Sequence, residues 1–290
     1  MKGNTWVVIE SPQNPLIKSL AKLARDVGER RLRGECILEG SHLVYEALKG
    51  RIPLRVLLFT REFYERTIRD EEDYRALLLA AVDRGTKMIE ASEAAIKRVA
   101  TTVEPQGIIA AGKIPALNWD AFIRAVQARG NQERREPERS RVIVVGDSIK
   151  DPGNCGAIVR NCHALGSCGV VFTGESVDPF SPKALRAAQG STFHIPVIVE
   201  GKRSEAIRRL RTMGARIIVT DVTTGKAPTA VDFSGTVAVV IGEEAHGVSD
   251  EFRAESAMSV KIPMPGGAES LNVAVTSGII LYEVLRRRMP

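Results

Sequence analysis

Five uninterrupted apolar runs limit what the second half of this chain can become: VIVVG (142–146), GVVF (169–172), PVIV (196–199), RIIVT (216–220) and VAVVIG (237–242). None alternates polar with apolar, so each reads as a strand covered on both faces. Helical patterns fill most of the intervals, and strands alternating with helices build a mostly parallel sheet wrapped by helices. Ligands of such sheets sit beyond the carboxyl ends of the strands, which directs attention to the turns after these runs.

The first half is a different α/β pattern. Asn14-Pro15 caps and opens an amphipathic helix, in which Leu16, Leu20, Leu23, Ala24 and Val27 share a face and Lys18, Lys22 and Arg25 take the others. The helix is expected to end near Gly28. From Glu35, strands CILEG, LRVLLFT, KMIE and GIIAAG alternate with helices over HLVYEALK, Tyr74 to Asp83 and Ser92 to Val99, a sandwich of about 80 residues. Glu39-Gly40 and Pro105-Gln106-Gly107 read as turn chemistry. Residues 114–140 lose the pattern: a short helix fits Trp119 to Arg129, but NQERREPERSR is charged and poor in apolar residues. A linker over 114–140 therefore separates a first domain, 1–113, with a basic helical extension over 1–33, from a second, 141–290.

A chain of 290 residues with 44% hydrophobic and 26% charged residues is an ordinary globular chain of two domains. No apolar run reaches the roughly 18 residues of a membrane span, and MKGNTWVVIESPQNP has no signal-peptide core, so a cytoplasmic protein is expected. Cys36, Cys155, Cys162 and Cys168 are too few and too irregular for a disulfide framework or a CxxC metal site. If Cys155 and Cys162 share a helix, about 10.5 Å of axial rise separates them, beyond disulfide reach. They read as packing residues, and no metal is expected. The formal charge of +6 admits a polyanionic partner without requiring one. Residues 1–33 hold seven Lys/Arg against three Asp/Glu, a pattern that RNA contact and a solvated helix face explain equally.

Three turns carry the candidate chemistry. DSIKDPGNCGAIVR (147–160) is a flexible loop entering a helix, neither GxGxxG nor a P-loop. Alone, it is explained as well by an ordinary strand-to-helix turn. IGEEAHGV (241–248) sets two carboxylates beside a His, but no second His stands at ligand spacing, and a backbone wrapped around a ligand fits better than a metal site. IPMPGGAESLNVAV (262–275) joins a strand end through a Gly-rich turn to a helix running to about Arg287, a socket with close backbone approach and unpaired N–H groups.

Together these three stretches closely resemble the signature motifs of the SpoU family of RNA ribose 2′-O-methyltransferases, of the SPOUT superfamily. The likeness spans most of residues 141–290 and includes KALRAAQGSTFHIPV (183–197). GECILEGSHLVYEALKG and PQGIIAAG resemble the family's N-terminal substrate-binding domain, whereas residues 1–33 match only loosely.

The resemblance implies a SPOUT-like α/β domain with a deep trefoil knot, S-adenosyl-L-methionine as cofactor, an RNA substrate and a homodimer. Gly242, Ile262 and Leu271, with Thr220, Gly247 and Ala274, are then the cofactor-binding positions. Asn154, Arg160, Glu244, Ser270 and Asn272 are the catalytic surroundings. Ribosomal RNA is favoured over transfer RNA, since a separate N-terminal domain and a basic leading helix suit structured RNA read by shape and phosphate contact.

Arg160 is the family's usual candidate for handling the hydroxyl, yet a guanidinium is a poor base, so a positioning role is favoured, with the proton passing to a phosphate, to Glu244 or to water. Glu244 reads alternatively as a structural cap, and Asn272 as a residue holding the turn. Glu243 is expected in solvent and His163 on a helix surface or interface. Asn161, Cys162 and His163 stand where smaller residues are more usual, and Cys155 where apolar ones are. A non-catalytic RNA-binding protein of the same fold and a doubly wound nucleotide enzyme are the rival readings. The intact motif residues speak against the first, and the missing GxGxxG or P-loop against the second.

Overall fold

The computed structural model describes residues 7–68, 71–115, 117–132, 140–243, 245–287 and 289, with the backbone alone at 131 and 132. The chain divides into two compact units: Met1–Pro115 with Phe180–Phe193, and Ala116–Pro179 with His194–Pro290.

The first unit opens with β1 (Val7–Ile9), a strand too short to show in the sequence pattern. α1 (Pro15–Arg25) follows, its first turn closed by the Asn14 side chain, which accepts from the N–H of Leu16 at 2.9 Å. The helix stops before Gly28 because Asp26 leaves it to cap α2 (Val27–Arg33), accepting from Gly28 N at 2.7 Å and Glu29 N at 3.2 Å. The basic run ERRLR is thus helical. Arg30 is buried and donates to the carbonyls of Leu23 and Ala24, satisfying the end of α1 with a cation.

Then come β2 (Glu35–Glu39), α3 (Ser41–Lys49), β3 (Leu54–Phe59), the single turn α4 (Arg61–Phe63), α5 (Glu72–Asp83), β4 (Lys87–Ala91), α6 (Glu93–Val99) and β5 (Ile108–Lys113). The strands form one sheet in the order β1-β4-β3-β5-β2, with β5 antiparallel to both its neighbours. Leu20, Leu23, Ile37, Leu58, Ile96 and Ile109 meet in its core. Each such side chain contributes about 1.5–3 kcal/mol by leaving water.

The second unit begins with α7 (Trp119–Gln132). The linker expected over 114–140 is therefore not a linker at this point: Trp119, Phe122 and Val126 are buried in the unit's core against Ile143, Val145 and Val171. Their spacing of three and four residues makes one apolar stripe. Residues 133–139 lie outside the described residues.

β6 (Arg141–Asp147), α8 (Pro152–Ala164) and β7 (Gly169–Thr173) follow, then α9 (Pro182–Ala188), which belongs to the first unit, and β8 (Val197–Glu200). The unit is completed by α10 (Arg203–Thr212), β9 (Arg216–Thr220), β10 (Thr236–Gly242), α11 (Asp250–Ala254), β11 (Met258–Val260) and α12 (Val273–Arg286). The six strands run in the order β11-β9-β10-β6-β7-β8, and every pairing is parallel. All five apolar runs form strands, four of them buried on both faces as their continuity requires, whereas the edge strand β8 leaves Val199 40% exposed. The short β11 is a sixth strand, ending two residues before Ile262, where the sequence pattern placed a strand end.

α9 sits against β2 in the first unit, where Glu39 is 4% exposed. Its carboxylate accepts from Thr101 N at 2.9 Å, from Thr102 N at 3.1 Å, from both threonine hydroxyls and from Arg186 Nη1 at 3.0 Å. Burial alone would raise its carboxyl, but the bonds from Thr102 and Thr101 hold it below the ordinary value.

The four cysteines are buried free thiols, and burial pushes the Cys162 thiol up to about 12. Among the described residues no helix is long and apolar enough to cross a membrane, and no group of His, Cys, Asp and Glu could hold a metal ion.

Candidate active site

The turn after β10 is the tightest point of the second unit. A Cβ on Gly242 would lie 2.0 Å from the carbonyl carbon of Gly247, so only a hydrogen fits between the strand end and the loop folding back over it. Gly247 holds φ at 69°, in the left-handed region, and its N–H donates to Glu243 O at 2.7 Å, closing the loop. Glu243, expected in solvent, is only 25% exposed; its carboxylate stands 3.3 Å from His246 Nδ1. Glu244 lies outside the described residues.

This loop forms one wall of a cleft of about 350 Å³ at the carboxyl ends of β9 and β10. Thr220, Gly242, Gly247, Ile262, Ser270 and Leu271 all line it. Six predicted site residues from separate stretches of sequence therefore face one cavity. Ala274 does not line it; it is buried on α12, where its carbonyl accepts from Asn161 Nδ2 at 2.7 Å.

A second cluster joins the heads of α8 and α12. Asp151 caps α8 by accepting from Asn154 N at 2.9 Å, and Asn272 caps α12 by accepting from Ala274 N at 2.9 Å and Val275 N at 3.3 Å. The Asn272 Nδ2 donates to Asn154 Oδ1 at 2.8 Å, which ties the first motif to the third. Two turns along α8, Asn161 repeats the tie through Ala274 O and Ser277 Oγ. Its amide, a departure from the smaller residues usual there, is thus a lock between the two helices. Arg160 stands on an exposed part of α8, outside the cleft lining and without a hydrogen bond or ion pair among the described residues. His163 stacks on His194 with ring centroids 5.1 Å apart.

Sequence reasoning missed several residues. Asp147, 1% exposed at the end of β6, accepts from Arg203 Nε at 2.7 Å and from Ser249 N at 2.9 Å, anchoring the start of α11. Asp221 and Arg253 pair along the cleft. An acid directly after an apolar strand was the one available signal, and its partner lies 32 residues away.

Residues 141–282 match the SpoU rRNA methylase family, and residues 14–110 match the MRM3-like substrate binding domain. A Synechocystis protein named as an uncharacterized tRNA/rRNA methyltransferase is 30% identical over 97% of this chain and 94% of its own length. The chain belongs to the SpoU rRNA methylase family. The 23S rRNA (guanosine(2553)-2′-O)-methyltransferase of Bacillus subtilis is 30% identical over 95% of this chain and 98% of that one. Among solved structures, the AdoMet-bound rRNA methyltransferase of Sinorhizobium meliloti superposes with a TM-score of 0.80 at 27% identity, covering 98% of this chain and 99% of that one. The SpoU methyltransferase AviRb of Streptomyces viridochromogenes, in complex with AdoMet, gives 0.79 at 26% identity, over 95% and 98% of the two chains. The α/β fold with a parallel sheet is thus shared with SpoU enzymes along nearly the whole chain.

Proposed function

We propose that this protein transfers a methyl group from S-adenosyl-L-methionine to a ribose 2′-hydroxyl at one site in structured RNA, ribosomal RNA before transfer RNA. The observation that carries the reading is the cleft at Gly242, where residues of the second and third motifs meet at the strand ends of a chain of SpoU family. Its residues suit an adenosyl ligand: Gly242 and Gly247 bring backbone to the cleft wall, and Ile262 and Leu271 offer apolar walls beside the polar Ser270 and Thr220. The knotted threading implied by the family likeness belongs to the same reading.

When bound, the cofactor supplies a methyl already activated by its sulfonium. The chain then has to align the ribose oxygen and ease departure of its proton. Backbone groups of Gly242, Gly247, Ile262 and Leu271 hold the ligand. Asn154, Ser270 and Asn272 organise the reacting end, with the Asn154–Asn272 bond fixing both carboxamides. Arg160 clamps an RNA phosphate or the 2′-oxygen, since a guanidinium donates well and accepts nothing. The proton passes to a phosphate, to Glu244 or to water.

An exposed Arg160 also favours a homodimer in which substrate contacts cross between copies. Val275, Ile279 and Tyr282 support this: they form an exposed apolar stripe at intervals of four and three residues on α12, the helix packed on α8. A place in the cytoplasm, where ribosomal RNA is modified, belongs to the same reading. Mapping 2′-O-methyl marks in total RNA from cells with and without the gene tests the function. One ribosomal position is expected to lose its mark; loss confined to transfer RNA would overturn the substrate, and no loss anywhere would favour a non-catalytic RNA binder.

A further inference from the structure

The loop 243–248 is held by a side chain from outside the family motifs. Arg253, on α11, donates through Nε to Val248 O at 2.9 Å and through Nη1 to Asp221 Oδ2. Asp221 directly follows β9, and its Oδ1 accepts from Thr223 N and Thr223 Oγ1 at 2.7 Å each and from Thr224 N at 3.0 Å. Its side chain is 6% exposed. Burial alone would raise the carboxyl, but bonds from Arg253, Thr224 and Thr223 outweigh it and hold the group well below the usual carboxylate range, ionised.

One guanidinium therefore bridges the turn after β9 to the loop after β10, and both Asp221 and Arg253 line the cleft. Arg253 Nη2 also comes within 3.3 Å of where a Cβ on Gly247 would stand, so the fork lies directly over the loop's left-handed residue. A loop flanked by two glycines has backbone freedom that must be frozen when a ligand binds, unless something freezes it beforehand. A planar fork bonded in two directions does this, whereas an ammonium at the same place is a single point charge.

We infer that Arg253, seated on Asp221, is a positioning residue: it holds the backbone at Gly247 and Val248 in the shape that presents Gly242 and Gly247 to the cofactor, and so sets cofactor affinity without joining methyl transfer. This rests on the reading of the cleft given above.

The test is calorimetric titration of S-adenosyl-L-methionine and S-adenosylhomocysteine into wild type, Arg253→Met, Arg253→Lys and Asp221→Asn. Steady-state methylation of undermethylated ribosomal RNA accompanies it. Loss of charge-assisted bonds predicts about 10- to 100-fold weaker cofactor binding and a matching rise in cofactor KM for Arg253→Met. At saturating cofactor, kcat and RNA KM stay near wild type, and Arg253→Lys and Asp221→Asn fall between. Arg253→Met binding within two-fold of wild type, or a loss of kcat with cofactor KM unchanged, overturns the inference. If Arg253→Met does not fold, the two conservative variants decide by the same criteria. A wild type that binds no cofactor sinks the methyltransferase reading and the inference together; a wild type that binds beside variants that bind equally sinks the inference alone.

Discussion

Asn272 uses both ends of its carboxamide at once, accepting from the first N–H groups of α12 through Oδ1 and donating through Nδ2 to Asn154 at 2.8 Å. The two roles separate by substitution. An aspartate keeps the cap and places negative charge at the helix N-terminus, where it is welcome, but has nothing to donate to Asn154 Oδ1. Asn272→Asp is therefore expected to keep its melting temperature and lose most methyl transfer. Asn272→Ala should lose the cap as well, about 1 kcal/mol of stability. Thermal denaturation alongside a methylation assay reads both, and full activity in Asn272→Asp would reduce Asn272 to a cap.

Arg160 is exposed and makes no hydrogen bond or ion pair among the described residues. Arg160→Ala should shift stability by no more than about 0.5 kcal/mol, as for other surface changes. Turnover should vanish while cofactor affinity stays nearly intact. Calorimetry and methylation assays on one preparation check this, and a parallel loss of both would move Arg160 from the RNA to the cofactor.

Gly242 admits no side chain, because the Cβ of an alanine would sit 2.0 Å from the backbone of Gly247. Gly242→Ala must push the loop outward, at a cost of about 1–3 kcal/mol typical of overpacking, and open the wall proposed to hold the cofactor. Cofactor binding should fall below detection. Gly201→Ala, at an exposed glycine with nothing within 4 Å, serves as the neutral control. Retained binding in Gly242→Ala would place the cofactor elsewhere.

The sequence showed this architecture unevenly, for physical reasons. Continuous apolar strands such as Val142 to Gly146 announce burial on both faces, and capping by Asn14 is a local event between near neighbours. β1 and β11 have three residues each, too few for any periodicity to register. The helix over Trp119 to Arg129 was legible, but the charged run after it set it in a linker, because composition outweighed the Trp119, Phe122, Val126 stripe that buries it. At the site, no local pattern could announce a cavity shared by Thr220, Gly242 and Leu271; family resemblance supplied that grouping. Arg253 and Asn161 were invisible because their partners, Asp221 and Ala274, are set by tertiary folding across 32 and 113 residues.

The stripe on α12 predicts an oligomeric state. Val275, Ile279 and Tyr282 are 50%, 38% and 53% exposed, while Ile280, Leu281 and Val284 on the same helix are buried. A second copy covering the stripe would remove it from water; two carboxylates placed there would repel it. Wild type should sediment as a dimer and the double variant Ile279→Glu/Tyr282→Glu as a folded monomer that still binds cofactor. A monomeric wild type would discard the homodimer.

Glu39 offers a test in the first unit, with a sign fixed by its surroundings. Burial would raise its carboxyl, but the bonds from Thr102 and Thr101 outweigh it and hold the group below the ordinary value of 4.5. A group lowered by folding stabilises fully above its unfolded value and loses that contribution as pH falls through the folded one. Glu39→Gln leaves Arg186 without its carboxylate and weakens the threonine bonds, a loss of about 1.5–3 kcal/mol near pH 7. As pH drops below 4.5 the carboxyl of the unfolded chain takes up a proton first and the folded one follows only at lower pH, so the gap between the two proteins should narrow toward acid. Scanning calorimetry near neutral pH and at about pH 3.5 measures it. A gap that is constant with pH would mean the pairing with Arg186 contributes nothing as a charge, leaving only the shape of the side chain.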